Sequence, residues 1–421
     1  MKGKIFNTFF SKFFSGLFNF LAVVAISRAL GATGKGEATL LITNITLILI
    51  ACNFVGGATL VYLTPRYSSD SILKVSYLWS VLVCLAAFLF MYTQNGDVTI
   101  AIHTASLTLI HSLLSINLSI LIGRQLIGYN NLLLLLRTGI NLLVLLSLFF
   151  VLSWKVNLVF VLALYISFGI SFLVSLILVL KPYRQEQLEA SLKQFFQISI
   201  VNGFWNQWAH ITQFLSFRLS YYLIEKYWGT ATLGIYSNGT SLVESIWLIS
   251  QSIALVQYAS IANTVEKEFA VQTTVSSLKL CLMASVLCLI PLLLVPPSVY
   301  AFIFGEEFGL VKEVMIYMAP GVIFFTVANI TGHYFSGTGR LRYNAIASSI
   351  GLMVTLSLAF ILVPLFPLMG AALTSSFSYL VTAIFLMAVF KKESGLKLSN
   401  LLFDIADIKM YINSVKNLRI K

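Results

Sequence analysis

The chain has 421 residues, of which 58% are hydrophobic and 10% are charged, and its formal net charge is +12. With a mean hydropathy of +0.91, it carries too much apolar surface for one soluble core and is typical of a polytopic membrane protein. The positive charge would indicate nucleic acid in a soluble protein. Membrane orientation explains it here, so we expect no nucleic-acid partner.

Apolar runs of about 18–25 residues recur along the chain, which is the length a helix needs to cross a hydrocarbon core of about 30 Å. Strands of a membrane barrel would instead alternate in polarity over about 10 residues. The sequence therefore predicts an all-α polytopic membrane protein with about twelve transmembrane helices, arranged in two six-helix lobes.

The first lobe, residues 1–180, contains six predicted spans. They cover about residues 13–29, 38–62, 75–93, 98–122, 129–153 and 157–180. The fourth span carries His103 and His111, eight residues apart and so roughly on one face of a helix. Catalytic zinc normally takes three protein ligands and no third ligand accompanies this pair, so we predict packed, hydrogen-bonded histidines and no metal site.

The fifth predicted span holds Arg137 two helical turns, or about 12 Å, from its entrance. A guanidinium at that depth does not easily extend to the membrane surface. Arg137 is therefore a candidate functional cation.

A polar stretch, KPYRQEQLEASLKQ, interrupts the apolar pattern in mid-chain and predicts a cytoplasmic linker over residues 181–197. The second lobe, residues 198–390, then contains six more predicted spans. They cover about residues 198–224, 233–258, 277–304, 314–335, 343–363 and 369–390. The ninth span contains Pro291, Pro296 and Pro297, which predict a kink. Residues 391–421 form the predicted cytoplasmic tail. Within it, residues 397–421 place apolar side chains along one helical stripe and predict an amphipathic helix on an anionic leaflet.

The first half of the seventh span is too polar to face lipid. This composition is typical of a helix that lines a wet cavity, where Trp205 and Trp208 could stack on sugar rings and Asn206 and Gln213 could contact sugars. The alternative is that the tryptophans lie at a membrane interface, where tryptophan is common.

Arg218 and Glu244 lie inside the seventh and eighth predicted spans. A cation at such depth costs about 3 kcal/mol on insertion scales, so Arg218 needs water, a partner or an anionic ligand. It is either a substrate-binding residue or a structural pin between helices. Glu244 is either a structural ion-pair or hydrogen-bond partner, or a group used in coupling or gating.

The chain contains an internal repeat. At an offset of 198 positions, a cation followed by two glycines recurs between apolar helices, at Arg28, Gly31 and Gly36 in the first copy and at Lys226, Gly229 and Gly234 in the second. An offset of 214 positions aligns Tyr129 and Asn130 with Tyr343 and Asn344, again before apolar segments. Duplicated halves around a midplane site are a recurrent design of transporters.

No motif of an enzyme is present: the chain lacks GxxxxGK[ST], GxSxG and HExxH sequences. We therefore predict a protein that is not an enzyme and needs no cofactor. A membrane polysaccharide polymerase is an alternative, but such an enzyme would be expected to expose a larger outward loop.

Arginines dominate the charges predicted near or inside the membrane, at Arg28, Arg66, Arg137 and Arg218. We predict that they bind an anionic substrate, because a guanidinium can hold phosphate with two hydrogen bonds. A cation-coupled multidrug exporter is the main alternative, and it would normally use buried carboxylates.

Several segments together resemble the bacterial lipid-linked oligosaccharide flippases of the O-antigen and polysaccharide-export type, within the MATE-like superfamily. They are SRALGATGKGE, FRLSYYLIEKYWGTATLGIYSNGTSLVE, AFIFGEEF, MAPGVIFF and YFSGTGRLRYN. The resemblance implies a two-lobed bundle around a central cavity, which moves an undecaprenyl-pyrophosphate-linked glycan across the inner membrane by alternating access. It also implies membrane lipid, a polysaccharide polymerase and a chain-length regulator as partners.

Relatives in this superfamily often carry an acidic residue two positions after the arginine of the seventh span. This chain has Ser220 there. This departure from the family's pattern argues against a scheme in which an adjacent carboxylate holds Arg218, and it leaves the arginine freer to meet phosphate.

The Lys and Arg residues predict the orientation. Of 27 in total, 20 fall on the side of the N-terminus, 5 on the opposite side, and 2, Arg137 and Arg218, inside the membrane. Because cytoplasmic loops are enriched in Lys and Arg, both termini are expected in the cytoplasm. Reporter fusions or cysteine labelling should place residues 181–193 and those after Lys391 inside the cell. Labelling of residues 181–193 from outside would contradict the twelve-span arrangement.

Overall fold

The computed structural model describes residues 2–181, 192–264 and 266–395, and within these ranges the secondary structure is helical. The predicted all-α fold is therefore confirmed. Most of the predicted linker and the amphipathic tail beyond Gly395 lie outside the described residues.

Seven helices build the first half of the chain and the start of the second. They are α1 (Lys2–Cys52), α2 (Gly57–Leu63), α3 (Ser69–Asn95), α4 (Val98–Gly123), α5 (Ile127–Leu146, extended by a π-helical turn over Ser147–Val151), α6 (Asn157–Val179) and α7 (Leu192–Glu244). Six more follow. They are α8 (Trp247–Ala262), α9 (Lys267–Leu294), α10 (Pro297–Phe304), α11 (Val311–Gly337), α12 (Arg342–Leu365) and α13 (Pro367–Ser394).

The two longest helices are each broken at a single glycine. Gly31 in α1 has φ 67° and ψ −169°, and Gly229 in α7 has φ 81° and ψ 172°. Positive φ favours glycine, which has no Cβ to clash with the backbone. Unbroken, the 51 residues of α1 would extend about 77 Å, more than twice the hydrocarbon thickness. The breaks therefore divide α1 and α7 into separate membrane arms.

The number of membrane spans follows from these breaks. Within the described residues, up to ten helical stretches are long and apolar enough to cross a membrane, if α7 and α8 are counted as one bent span. Two of the ten, Phe10–Leu63 and the stretch from Gly203 to Ala262, contain a glycine break. Counting the arms on each side of a break gives twelve spans, as the sequence predicts.

The connections between spans differ from the prediction in two respects. Residues 30–37 and 225–232 were predicted to lie between spans. In the structure both stretches are helical, except at the one glycine in each where the helix breaks. The ninth predicted span ran through to residue 304, whereas α9 continues through Pro291, ends at Leu294 and is followed by the separate helix α10. A chain turn between Val295 and Pro297 is favoured because proline restricts the residue before it.

The repeat is visible in the structure. Both glycine breaks, 198 positions apart, have nearly the same backbone conformation. The second match, at an offset of 214, also lies at equivalent places, since Tyr129 and Tyr343 fall in the first turn of α5 and of α12. The architecture of the chain is thus duplicated, with the same glycine break near the start of each half.

The chain forms two compact units. Among the described residues, the first contains those up to Ile211 together with Gly229–Ile235 and Ala301–Phe308, and the second contains the remaining stretches up to Gly395. In the first unit, α4 packs on α1, α3, α5 and α6. In the second, α11 packs on α8, α9 and α13, and Trp247, Phe325 and Tyr379 form an aromatic core with centroids 4.0–5.7 Å apart.

Within the first unit, the two copies of the repeat touch through glycines. A Cβ on Gly36 would lie 1.9 Å from the carbonyl oxygen of Thr230, and a Cβ on Gly234 would lie 2.0 Å from that of Ala32. Thr230 follows Ala32 by the repeat offset of 198 positions. The contact is therefore reciprocal, and it leaves no room for a side chain because backbone atoms stand in the way. We call it the glycine contact.

Polar groups beside the glycine contact hold the end of α10 and the segment after it, in the same unit. Glu307 accepts a hydrogen bond of 2.6 Å from the backbone N–H of Ala32, just after the break at Gly31. This satisfies one of the free N–H groups at the start of a helical arm. Arg28 donates to the carbonyl oxygens of Phe302 and Ile303, near the end of α10.

We expect Gly36→Ala and Gly234→Ala to destabilise the protein by about 1–3 kcal/mol, the usual penalty of overpacking. The measurement is the unfolding temperature of each purified variant in detergent. Gly169→Ala in α6 is the matched control, because a Cβ there meets nothing within 4 Å. Unfolding temperatures of the two variants equal to that of the control would contradict the glycine contact.

Candidate functional site

Arg218 forms a bidentate ion pair with Glu244 in the second unit. Its Nη1 donates to Glu244 Oε1 over 2.8 Å, and its Nη2 donates to Oε2 over 2.7 Å. The two side chains are 24% and 14% exposed. Ser220 offers no carboxylate, but Glu244 supplies one from the other arm of the helix. The expectation that Arg218 is freer to meet phosphate is therefore wrong, whereas the ion-pair alternative for Glu244 is what the structure shows.

Tyrosine and hydroxyl groups surround this pair. The guanidinium of Arg218 lies over the ring of Tyr221, with Cζ 4.9 Å from the centroid. The Tyr221 hydroxyl lies 2.8 Å from the Thr240 hydroxyl, and the rings of Tyr221 and Tyr236 make an edge contact at 5.6 Å. The charges of Arg218 and Glu244 thus neutralise each other inside a largely aromatic enclosure.

Glu244 is also the last residue of α7. After it the chain bends by 44° before α8 begins at Trp247. The ion pair therefore ties this bend to the arm that carries Arg218. A structural role for Glu244 is compatible with this position.

Arg137 has a different environment in the first unit. Its Nη1 lies 2.8 Å from Nε2 of His111, and its Cζ lies 5.9 Å from the centroid of the Phe168 ring. His111 stacks on the same ring at 4.5 Å. Among the residues that the structure describes, no carboxylate pairs with Arg137. Arg137 therefore keeps its full positive charge near the middle of its span, Ile127–Val151.

The two pairs share a spacing that the sequence contained. His111 and Arg137 are 26 residues apart, and so are Arg218 and Glu244. Each pair joins two consecutive antiparallel arms, on which residues equally far from the turn lie at the same depth. His111 and Arg137 are each 13 positions from Arg124, which follows the end of α4. This register would have identified His111 as the partner of Arg137.

The other predicted site residues do not join either pair. Arg28 belongs to the contacts beside the glycine contact, and Arg66 donates to the Tyr62 carbonyl while its Cζ lies 3.8 Å from that ring's centroid. Substrate contact by either arginine stays a prediction.

The aromatic residues of α7 form a row on its surface. Trp205 and Trp208 are 44% and 45% exposed, and Phe204 lies between them with ring centroids at 5.4 and 6.2 Å. Gln213 is half-buried further along the helix. The side chain of Asn206 lies outside the described part of the chain. Stacking of sugars on this row stays a prediction.

His103, the other histidine of α4, also packs against a neighbouring helix. His103 Nδ1 lies 3.1 Å from the Tyr165 hydroxyl. The two histidines therefore face different partners rather than a shared ligand. In the described ranges, no cluster of three or more His, Cys, Asp or Glu residues could hold a metal ion.

The fold is that of the MATE-like transporters. A solved structure of the lipid II flippase MurJ, in an inward closed conformation, matches with a TM-score of 0.74 at 12% identity, over 98% of this chain and 91% of that one. An inward-facing multidrug resistance MATE family transporter of the MOP superfamily matches with a TM-score of 0.73 at 14% identity, over 90% and 94%. The predicted MATE-like membrane fold is therefore confirmed.

Two other proteins are similar to the chain in sequence. The chain is 23% identical to the capsular polysaccharide biosynthesis protein CapF of Staphylococcus aureus over 390 residues, which are 89% of this chain and 96% of that protein. It is 28% identical to the uncharacterized membrane protein YabM of Bacillus subtilis strain 168 over 192 residues, which are 43% and 35%. No protein-family model matches the chain.

We expect Arg218 and Glu244 to stabilise the protein as one unit. Glu244→Gln or Arg218→Gln should each cost roughly 3 kcal/mol, the low end for a broken buried pair because both side chains keep some exposure. The double variant should lose much less than the sum, since it leaves no unpaired charge. Free energies of unfolding in a double-mutant cycle measure this coupling. Additive losses would show that the pair contributes no joint stability.

Proposed function

We propose that the chain is a flippase that carries an undecaprenyl-pyrophosphate-linked oligosaccharide from the cytoplasmic to the outer face of the bacterial inner membrane. It works by alternating access and makes no covalent change to its cargo. The fold supports a transporter. The similarity to CapF over nearly its whole length, and the match to a lipid II flippase, support a lipid-linked glycan as the cargo.

The observation that carries the proposal is that Arg137 has no carboxylate partner among the described residues. A guanidinium in mid-membrane without a carboxylate partner needs an anion or water, and the described contacts of Arg137 are a histidine and an aromatic ring. A diphosphate supplies the missing negative charge, and its oxygens can accept two hydrogen bonds from one guanidinium. We therefore assign Arg137 as the first contact of the cargo's diphosphate.

Arg218 is a second contact of a different kind. Its charge is already balanced by Glu244, so an anion that reaches it must share the guanidinium with that carboxylate. Such a contact is weaker, and cargo in transit must be released as well as bound. Arg28 and Arg66 complete the set of proposed substrate cations.

Export of cationic drugs is the second candidate, favoured by the match to a multidrug resistance MATE transporter. Cation transport normally uses buried carboxylates that are free to bind. Glu244 is engaged with Arg218. Drug resistance conferred by the chain, and lost on Glu244→Gln in a stably expressed variant, would favour the exporter.

We expect Arg137→Ala to reduce glycan export by roughly ten- to a hundredfold at unchanged protein level, as for the loss of a 1.5–3 kcal/mol hydrogen bond to a charged group. The measurement is surface polysaccharide in a flippase-null host, with membrane protein quantified in parallel. Arg137→Lys keeps the positive charge but loses the paired N–H donors of the guanidinium, so it should retain partial export.

Lys155→Ala is the matched control for this series, because Lys155 is an exposed cation outside both pairs. It should export normally. Full export by Arg137→Ala and Arg218→Ala at normal protein levels would show that the anion-binding mechanism is wrong.

A further inference from the structure

The hydrogen bond between Arg137 and His111 fixes the protonation of the histidine. A guanidinium only donates hydrogen bonds, so Nε2 of His111, 2.8 Å away, must accept. An imidazole that accepts at Nε2 is neutral and carries its proton on Nδ1. His111 is therefore neutral in this structure, with an N–H group at Nδ1.

Within the described ranges, that N–H group has no acceptor. Nδ1 of His111 is buried and makes no hydrogen bond among the described residues. A buried donor left unsatisfied costs about 1–3 kcal/mol. In the part of the chain that the structure describes, the pair therefore combines a cation that has no counter-charge with a donor that has no acceptor.

Protonation of His111 is incompatible with the observed pair. A proton on Nε2 removes the lone pair that Arg137 uses and places two cations in contact, which repel each other. A diphosphate between them reverses this, because its oxygens accept from the guanidinium and from the imidazolium while its charge offsets both cations. The anion and the proton therefore favour each other's binding.

We propose that His111 and Arg137 together bind one diphosphate, and that His111 takes up one proton from water as the diphosphate binds. The proton forms an N–H bond at Nε2, the hydrogen bond from Arg137 is replaced by hydrogen bonds to phosphate oxygens, and release of the anion returns the proton to water. This rests on the proposed function and adds to it a second binding residue and a proton linked to the cargo.

Among the described contacts of α4, Arg137 is the charged side chain that contacts His111. The helices that pack on α4 bring the following titratable groups to it: from α1 Cys52 near Ser112, from α3 Tyr77 on Asn117, from α5 Arg137 on His111, and from α6 Tyr165 on His103. On α2, the ring of Tyr62 contacts Arg66. Arg137 is the charged group that faces His111.

The test is calorimetric titration of the purified full-length protein with a P1,P2-dialkyl diphosphate. Each phosphorus of this probe carries one alkyl ester, one anhydride bond and a single strongly acidic hydroxyl, so the charge of the probe stays constant between pH 5 and pH 8. Titrations in two phosphate-free buffers of different ionisation enthalpy give the number of protons taken up. We expect uptake approaching one proton per diphosphate, and affinity that rises by about tenfold per unit fall in pH in the window where uptake occurs.

His111→Gln should bind the probe without proton uptake, because glutamine keeps an acceptor for Arg137 and cannot be protonated. His103→Gln is the matched control, since His103 lies on the same helix and contacts Tyr165 instead; it should keep the uptake. If His111→Gln does not fold, His111→Asn takes its place.

Three kinds of result would overturn the inference. Binding that depends on Arg137, but with no proton uptake in the wild type at any pH, would remove the role of His111 and leave the proposed function standing. No binding by the wild type, or equal binding by Arg137→Gln, would overturn the inference together with the diphosphate contact. Uptake that persists in a folded His111 variant would also overturn it.

Discussion

A guanidinium inside hydrocarbon must find a counter-charge, an acceptor or water, because its insertion costs about 3 kcal/mol even on the mildest scales. The chain meets this constraint in two ways. Arg218 is neutralised by both oxygens of Glu244, whereas Arg137 is given only a neutral acceptor, His111. The first solution ties two arms together and the second leaves positive charge available. The two arginines therefore differ in whether the protein itself compensates their charge.

The glycine breaks make both solutions possible in one duplicated chain. Gly31 and Gly229 end one membrane arm and begin the next within a single residue. In α7, the break allows Arg218 before it and Glu244 after it to lie on antiparallel arms at similar depth. The same repeat places Gly36 against Gly234, where backbone meets backbone. A short motif thus controls both the path of the chain and the meeting of its two copies.

Much of the architecture could be predicted from local patterns. The apolar runs give twelve spans, and the cation-glycine repeat gives the positions of both breaks, because span length and backbone freedom depend on nearby residues alone. The partners were harder to predict. Ser220, two positions from Arg218, carries no charge, and the carboxylate that pairs with Arg218 lies 26 positions away at Glu244. His111 lies equally far from Arg137. Such pairs depend on the depth of each residue in two antiparallel arms, which local patterns do not give.

The sequence by itself determined that the protein is a helical membrane protein built from two related halves, since hydropathy and glycine spacing act over one or two turns of helix. Only the tertiary structure decided which charges are compensated. That outcome depends on the rotation of each helix about its axis and on which helices are neighbours, and both are set by packing between distant segments. His111 turns toward Arg137 while His103 turns toward Tyr165, a distinction that helical periodicity could not make.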